Sequence, residues 1–238
     1  MKWSQATETG LVRKQNEDNF CICPDIGLFA IADGMGGHQA GEIASRLATQ
    51  KLADFIRTYL EFYSDQETLL TKGMQEINHQ IYLISQQNKR YQGMGTTLTA
   101  ALIQNNHLYL AHIGDSRLYL LRQGQIKQLT EDHTVVQNLV ANSTITADQA
   151  RTHPKRHILT RALGIDSSVK AEISKITLRT QDKILLCTDG LTNYVTPEEI
   201  HHLVNNAAEV KQAVHNLTEM ALERGGADNI TVILVAVD

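Results

Sequence analysis

The segment LYLAHIGDSRLYLLRQGQIKQL, residues 108–129, decides the fold class. It holds two β-rich apolar runs, Leu108–Ile113 and Leu118–Arg122, with only Gly114, Asp115, Ser116 and Arg117 between them. Gln123-Gly124 then turns the second run into Gln125–Leu129, which predicts a hairpin. A parallel crossover takes a dozen or more residues, so connections this short predict antiparallel pairing rather than βαβ units.

Further strand signals are Phe20–Cys23, Leu28–Ala32, Thr96–Ile103, Ile184–Cys187 and Ile230–Val237. Helical periodicity falls in two pairs. Ala40, Ile43, Ala44, Leu47, Phe55 and Tyr59 share one face, and Leu70, Met74, Ile77, Ile81 and Ile84 share another, which a Ser64-x-x-Glu67 capping box would open. Thr196-Pro197-Glu198-Glu199 reads as an N-cap, a first-turn proline and an acidic first turn, followed by the face Ile200, Leu203, Val204, Ala207. Val210, Ala213, Val214, Leu217 and Ala221 form a fourth face, stopped by Gly225-Gly226. Each helix has one apolar face, so each covers a sheet. Two helix pairs and two groups of antiparallel strands predict an α+β fold, a four-layer α-β-β-α sandwich. Residues 131–164 interrupt it with short helical signals and the cations Arg151, Lys155, Arg156 and Arg161, and are read as a surface flap.

No linker, repeat or low-complexity tract divides the 238 residues, so residues 1–238 are read as one domain. The chain carries 22 Lys plus Arg against 26 Asp plus Glu and has no run of five basic residues, which argues against nonspecific nucleic-acid binding. Its longest apolar run, Ile230–Val237, is far short of a bilayer span, and the start MKWSQATETG lacks the apolar stretch of a signal peptide. Cys21, Cys23 and Cys187 show no CxxC spacing and are read as free, buried thiols of a cytoplasmic protein.

Acidic residues sit at the ends of apolar strands, each beside a turn. LFAIA runs into Asp33-Gly34, LYLAHIG into Asp115-Ser116 and KILLCT into Asp189-Gly190. Asp228-Asn229 precedes the last strand and Glu17-Asp18 an early one. One such carboxylate is an ordinary turn former. Several brought into one cleft repel and lose hydration, and persist by sharing protons or holding cations. With oxygen donors only, the cation is a hard one, Mg²⁺ or Mn²⁺ rather than Zn²⁺. The glycines of Gly34-Met-Gly-Gly-His38 satisfy neither G-x-G-x-x-G nor G-x-x-x-x-G-K-[ST], so they do not predict a nucleotide loop. They let the backbone approach an ion and offer the Gly34 carbonyl. A cysteine phosphatase needs Arg six places after its Cys, but those places hold Gly27, Phe29 and Asn193. No D-x-D supports an aspartyl-phosphate enzyme.

Arg13-x-x-Asn16-Glu17-Asp18, Asp33-Gly34-Met-Gly-Gly-His38, Gly95-Thr96-Thr97, Gly114-Asp115-Ser116-Arg117, Thr160-Arg161-Ala162-Leu163-Gly164, Thr188-Asp189-Gly190-Leu191 and Asp228-Asn229-Ile230-Thr231 follow one another in that order. The series resembles the motifs of bacterial PPM (type 2C) metal-dependent Ser/Thr protein phosphatases, from about Gln5 to Val237. The resemblance implies a binuclear Mg²⁺ or Mn²⁺ site at one end of the two sheets. Asp33 would bridge both ions, the Gly34 carbonyl would serve one, and Asp189 and Asp228 the other. Asp115, with Asp189, would hold a third, weaker ion. Glu17 and Asp18 would act through water, with Asp18 orienting the attacking one, and Arg13 would clamp the phosphate. His38 is the candidate acid for the leaving alkoxide. Attack would be by an ion-activated water in line with the leaving group, with no phosphoenzyme. Arg117 is read as a local ion-pair partner, His112 as a core histidine and Arg161 as an anchor of the flap. Arg156 and His157 are read equally as solvated surface or substrate-facing. The expected activity is hydrolysis of phosphoserine and phosphothreonine in a signalling phosphoprotein, by a monomer. The chain looks especially like short cyanobacterial members, some of which act on the nitrogen-regulatory PII protein. The alternatives are a phospho-binding regulatory module of the same fold without turnover, and a nucleotide-phosphate hydrolase.

Overall fold

The computed structural model describes residues 1–36 and 40–237. The first sheet is ordered β1 (Lys2–Glu8), β11 (Ile230–Ala236), β10 (Lys183–Cys187), β7 (Arg117–Arg122), β8 (Gln125–Gln128). The second is ordered β2 (Asp18–Cys23), β3 (Leu28–Met35), β5 (Leu98–Gln104), β6 (His107–Ile113), β9 (Glu172–Thr177), with the short β4 (Gly95–Thr96) beside β3. Every named strand pair is antiparallel.

Strand alternation builds the layers. Leu28, Ala30 and Ala32 of β3 face helices α1 (Ala40–Tyr59) and α2 (Gln66–Gln87), in a core with Ala44, Leu52, Leu70, Ile77 and Ile81. Phe29 and Ile31 of the same strand face the other sheet, meeting Leu118, Ile184, Leu186, Ile233 and Val235. Leu185 and Cys187 of β10, with Val232 and Leu234 of β11, pack outward under α6 (Pro197–Asn206) and α7 (Val210–Glu223), against Ile200, Val204, Val214 and Leu217. Each fully buried Leu, Ile or Val contributes about 1.5–3 kcal/mol, so these three interlayer cores dominate the driving force for folding. The four-layer sandwich expected from the sequence is the observed architecture.

The Gly114–Ser116 connection does not close a hairpin. It carries the chain from β6 in one sheet to β7 in the other, and thereby joins the two layers. The Gln123-Gly124 hairpin forms as expected, with both residues at positive φ and Arg122 paired to Gln125. Asp33-Gly34 is not a turn, because β3 runs on to Met35, where β4 pairs with it. The expected Thr96–Ile103 strand accordingly splits at Thr97. Asp65, not Ser64, caps α2, its carboxylate accepting from the Glu67 and Thr68 amides. Thr196 caps α6 with Pro197 in its first turn, as expected, and Glu199 closes a capping box with it. Strands β1 and β9 have no counterpart in the sequence reading. Both lie at sheet edges and are mostly polar, β1 largely exposed and β9 half-buried, so neither carries an apolar run.

Between β8 and β9 lie α3 (Val135–Ala141) and α4 (Ala147–Arg151), the latter opened by a Thr146–Gln149 capping box. Helix α5 (Asp189–Thr192) is a single turn after β10. All three cysteines are free; Cys23 and Cys187 are buried and Cys21 is half-buried. Among the described residues no helix is long and apolar enough to cross a membrane.

Candidate active site

Asp18 and Asp33 are direct cross-strand partners in β2 and β3. Asp33 follows Phe29 and Ile31 at spacing two, so its side chain shares their face and stands at the end of the space between the sheets. Like charges directly opposite one another in a sheet destabilise it, so this pair needs compensation. The first sheet supplies part of it, through β11 and the residue that follows β10. Thr188 Oγ1 and Thr231 Oγ1 donate to Asp18 Oδ2 at 2.9 and 2.7 Å. The Thr231 hydroxyl is met by that of Thr7 at 2.9 Å, and Thr7 accepts from Asn16 Nδ2 at 2.9 Å. Because Thr231 gives its proton to Asp18, the chain runs one way, each donor pointing toward the carboxylate.

The compensation is partial. Asp18 is 6% exposed and its Oδ1, like Asp189 Oδ1, is buried with no hydrogen-bond partner. Burial, which outweighs the two threonine bonds, pushes the Asp18 carboxyl up to about 7, with Asp189 and Asp228 adding repulsion. Burial, then the charges of Asp18, Asp189, Asp115 and Asp228, raises Asp33 well above the usual carboxylate range. Burial and Asp189 do the same to Asp115, against the pull of Arg117. Glu17 is raised by burial, though Arg13 opposes it.

The backbone around these acids is tightly held. The Asp33 amide donates to Thr97 Oγ1 at 2.8 Å, and its carbonyl accepts from the Thr97 amide at 2.9 Å and Thr96 Oγ1 at 2.8 Å. Gly34 donates to the Glu17 carbonyl at 3.1 Å, and a Cβ there would stand 2.1 Å from the Gly41 carbonyl oxygen. Asn229 accepts the Glu17 amide at 2.8 Å and donates to the carbonyls of Thr9 and Gln15, tying the amino-terminal loop to the segment bearing Asp228. Arg13 pairs with Asp228 at 2.8 Å. Asp189 accepts from Asn193 at 3.1 Å and faces His157 Nδ1 at 3.4 Å.

These groups line one cleft of about 1100 Å³, into which Arg13, Glu17, Asp33, Gly34, Asp115, Asp189 and Asp228 all project. Asp18 is buried and is not among the residues that line it. His38, the expected leaving-group acid, falls outside the described residues. Among the described residues no three His, Cys, Asp or Glu side chains form a ready-made metal cage. The donor set nevertheless fits hard divalent cations. It consists of oxygens, two of them buried and unpartnered, among carboxyls that repel one another.

Arg117, His112 and Arg161 have the structural roles expected of them. Arg117 forms a bidentate pair with Asp132 at 2.6–3.1 Å. His112 is buried, donating from Nε2 to the Glu131 carbonyl at 3.0 Å with Thr99 on Nδ1. Burial and the neighbouring His133 push it down to about 3, so it is a neutral core histidine. Arg161 anchors the inserted segment to β9 through Glu172 at 3.5 Å.

His133 is a residue the sequence reading passed over. The Gly114 amide donates to its Nδ1 at 3.1 Å, while the His133 amide donates to the Gly114 carbonyl at 2.8 Å. An amide only donates, so Nδ1 is an acceptor and Nε2 carries the proton it gives to Glu172 at 2.9 Å. The His133 carbonyl accepts from Thr160 at 2.8 Å. One histidine thus fixes the turn that aims Asp115 and ties it to the inserted segment. The only sequence signal was a histidine following Asp132 near the start of that insertion.

Residues 12–232 match the model of the protein phosphatase 2C family. The serine/threonine phosphatase stp of Listeria monocytogenes is 38% identical over 98% of this chain and 94% of its own. The crystal structure of the serine/threonine phosphatase Stp1 from Staphylococcus aureus superposes with a TM-score of 0.92 at 37% identity, covering 100% of this chain and 95% of that one. The catalytic domain of the phosphatase PstP, in complex with two manganese ions, superposes with a TM-score of 0.90 at 39% identity, over 100% and 98% of the two chains. Sandwich, acid-lined cleft and full-length similarity agree: this chain belongs to the magnesium- and manganese-dependent protein phosphatase 2C family and is a serine/threonine protein phosphatase.

Proposed function

We propose that the cleft hydrolyses phosphoserine and phosphothreonine with Asp33, Asp189, Asp228 and the Gly34 carbonyl holding two divalent cations. Bound there, the ions supply Lewis acidity toward the phosphate oxygens and toward a water. Glu17 acts on the ions through water, and Asp115, with Asp189, takes a third, weaker ion. Asp18, held by Thr188 and Thr231, keeps its unpartnered Oδ1 as the acceptor that orients the attacking water. Arg13 lies beside Asp228 at the cleft mouth and is exposed enough to turn its remaining donors toward a phosphate. His38 is assigned as the acid for the alkoxide on its place in the sequence alone. Residues 1–238 act as one catalytic domain, with 131–164 as the flap beside the cleft. A cytoplasmic monomer fits the three free thiols, and the phosphorylated nitrogen-regulatory PII protein is the first physiological substrate to assay.

The observation that carries this assignment is the pair of buried, unpartnered carboxylate oxygens, on Asp18 and Asp189, in a cleft lined with acids. Turnover of p-nitrophenyl phosphate and of a phosphopeptide should vanish in EDTA and return with Mn²⁺ or Mg²⁺. Asp189→Ala should lower turnover by about 10²–10³, the loss typical of removing one transition-state donor. Near-parental turnover of that variant at saturating Mn²⁺ would remove Asp189 from the assignment. ATP assayed beside the phosphopeptide separates a nucleotide hydrolase from a protein phosphatase.

A further inference from the structure

Charge is segregated along the cleft. Its floor is acidic, whereas residues 149–165 carry Arg151, Lys155, Arg156 and Arg161 with two histidines and no Asp or Glu, in a chain of net charge −4. Arg151, Arg156 and His157 line the same cleft as the site carboxylates. Most of its cations are engaged: Arg13 by Asp228, Arg161 by Glu172, and Arg151 within the field of Glu198, while His157 Nδ1 lies against Asp189. Arg156 differs. Among the described residues its exposed guanidinium has no hydrogen-bond or ion-pair partner, although it lines the cleft. What sets it apart from an ordinary solvated surface arginine is its place in the cleft lining, in an acid-free stretch between Asp148 and Asp166. A guanidinium presents a planar fork of donors matched to a carboxylate, and is less strongly hydrated than an ammonium.

We propose that the 151–157 segment, through Arg156 above all, selects phosphoprotein segments with acidic residues beside the phosphoserine or phosphothreonine. The proposal rests on the phosphatase reading of this cleft and adds a substrate class to it. Asp33, Asp115, Asp189 and Asp228 are taken up by the divalent cations and leave no basic side chain for an acidic flank, so acidic residues are favoured only where the peptide passes the basic segment. Selectivity is therefore directional: an acid on one side of the phosphorylated residue helps and on the other side does not.

The test uses phosphothreonine peptides of one sequence, with two Glu, two Ala or two Lys placed before or after the phosphorylated residue, assayed with the full chain and Mn²⁺. On one side, kcat/KM should favour Glu over Lys by about tenfold, mainly through KM, as expected for two exposed charge pairs. That ratio should shrink between about 50 and about 300 mM NaCl. Arg156→Glu should bring the ratio to about one or invert it; a ratio cancels any loss common to all peptides. Equal hydrolysis of the Glu, Ala and Lys peptides overturns the proposal alone. So does a Glu preference that survives Arg156→Glu. No hydrolysis of any peptide overturns the phosphatase reading and the proposal with it.

Discussion

In the metal-free protein, Asp18→Asn should stabilise the fold increasingly as pH rises. Asn keeps an acceptor for Thr188 and Thr231 and reproduces the neutral acid, whereas ionised Asp18 leaves a buried charge with Oδ1 unpartnered. The Asp18 carboxyl is raised in the fold from 3.8 to about 7. A raised carboxyl makes the native state bind more protons than the unfolded chain, so stability is greatest below 3.8 and is lost as pH rises toward about 7. At about 1.4 kcal/mol per pH unit the full loss is about 4 kcal/mol, of which about 3 kcal/mol falls between pH 5 and pH 8. His112 opposes this. Its value is lowered from 6.5 to about 3, so it contributes stability above 6.5 that is lost as pH falls toward 3. That contribution is common to parent and variant and cancels in their difference. Urea melts in EDTA should therefore show the advantage of Asp18→Asn growing by about 3 kcal/mol from pH 5 to pH 8, or about 6–12 °C in Tm. Saturating Mn²⁺ should abolish the advantage, because cations compensate the same charge. An advantage independent of pH would refute the claim that Asp18 is a buried, under-compensated carboxyl.

Two other substitutions test the site from different sides. Asp115 stands on the turn between the sheets, apart from the Asp18–Asp33 strand pair, so Asp115→Ala should leave two tight ions and raise the Mn²⁺ concentration needed for activity, as calorimetric titration would show. Its rate loss should be larger on a phosphopeptide than on p-nitrophenyl phosphate, whose leaving group needs little protonation; equal losses would count against a role in leaving-group departure. Gly34→Ala places a Cβ 2.1 Å from the Gly41 carbonyl oxygen and 2.6 Å from that of Glu17, so α1 and the Glu17 loop must separate. Denaturant melts should show a loss of about 1–3 kcal/mol or more, and unchanged stability would mean that this close approach is absent.

What the sequence shows and what it hides divide on physical lines. The helix faces and inner strands were legible because burial demands apolar residues at spacing two or at three and four, and Phe29, Ile31, Leu186 and Ile233 obey it. Strands β1 and β9 were not, because an edge strand with one wet face needs no apolar run. The acids were legible because several carboxylates at strand ends are a chemical expense that a fold keeps only for a purpose. Their supports were not. Thr7 and Thr231 belong to β1 and β11 and Thr188 caps α5, and nothing in any one segment announces that the Thr188 and Thr231 hydroxyls converge on Asp18 with Thr7 behind them. His133 shows the same limit more sharply. Its function lies in contacts with a backbone amide nineteen positions away and a carboxylate thirty-nine positions away, neither of which leaves a motif. A reading by side-chain chemistry therefore finds the groups that face the substrate and misses those that aim them. For Asp115 the aiming residue is His133, and it reaches Glu172, Thr160 and the flap, so the turn bearing Asp115 cannot shift without disturbing the wall of the cleft.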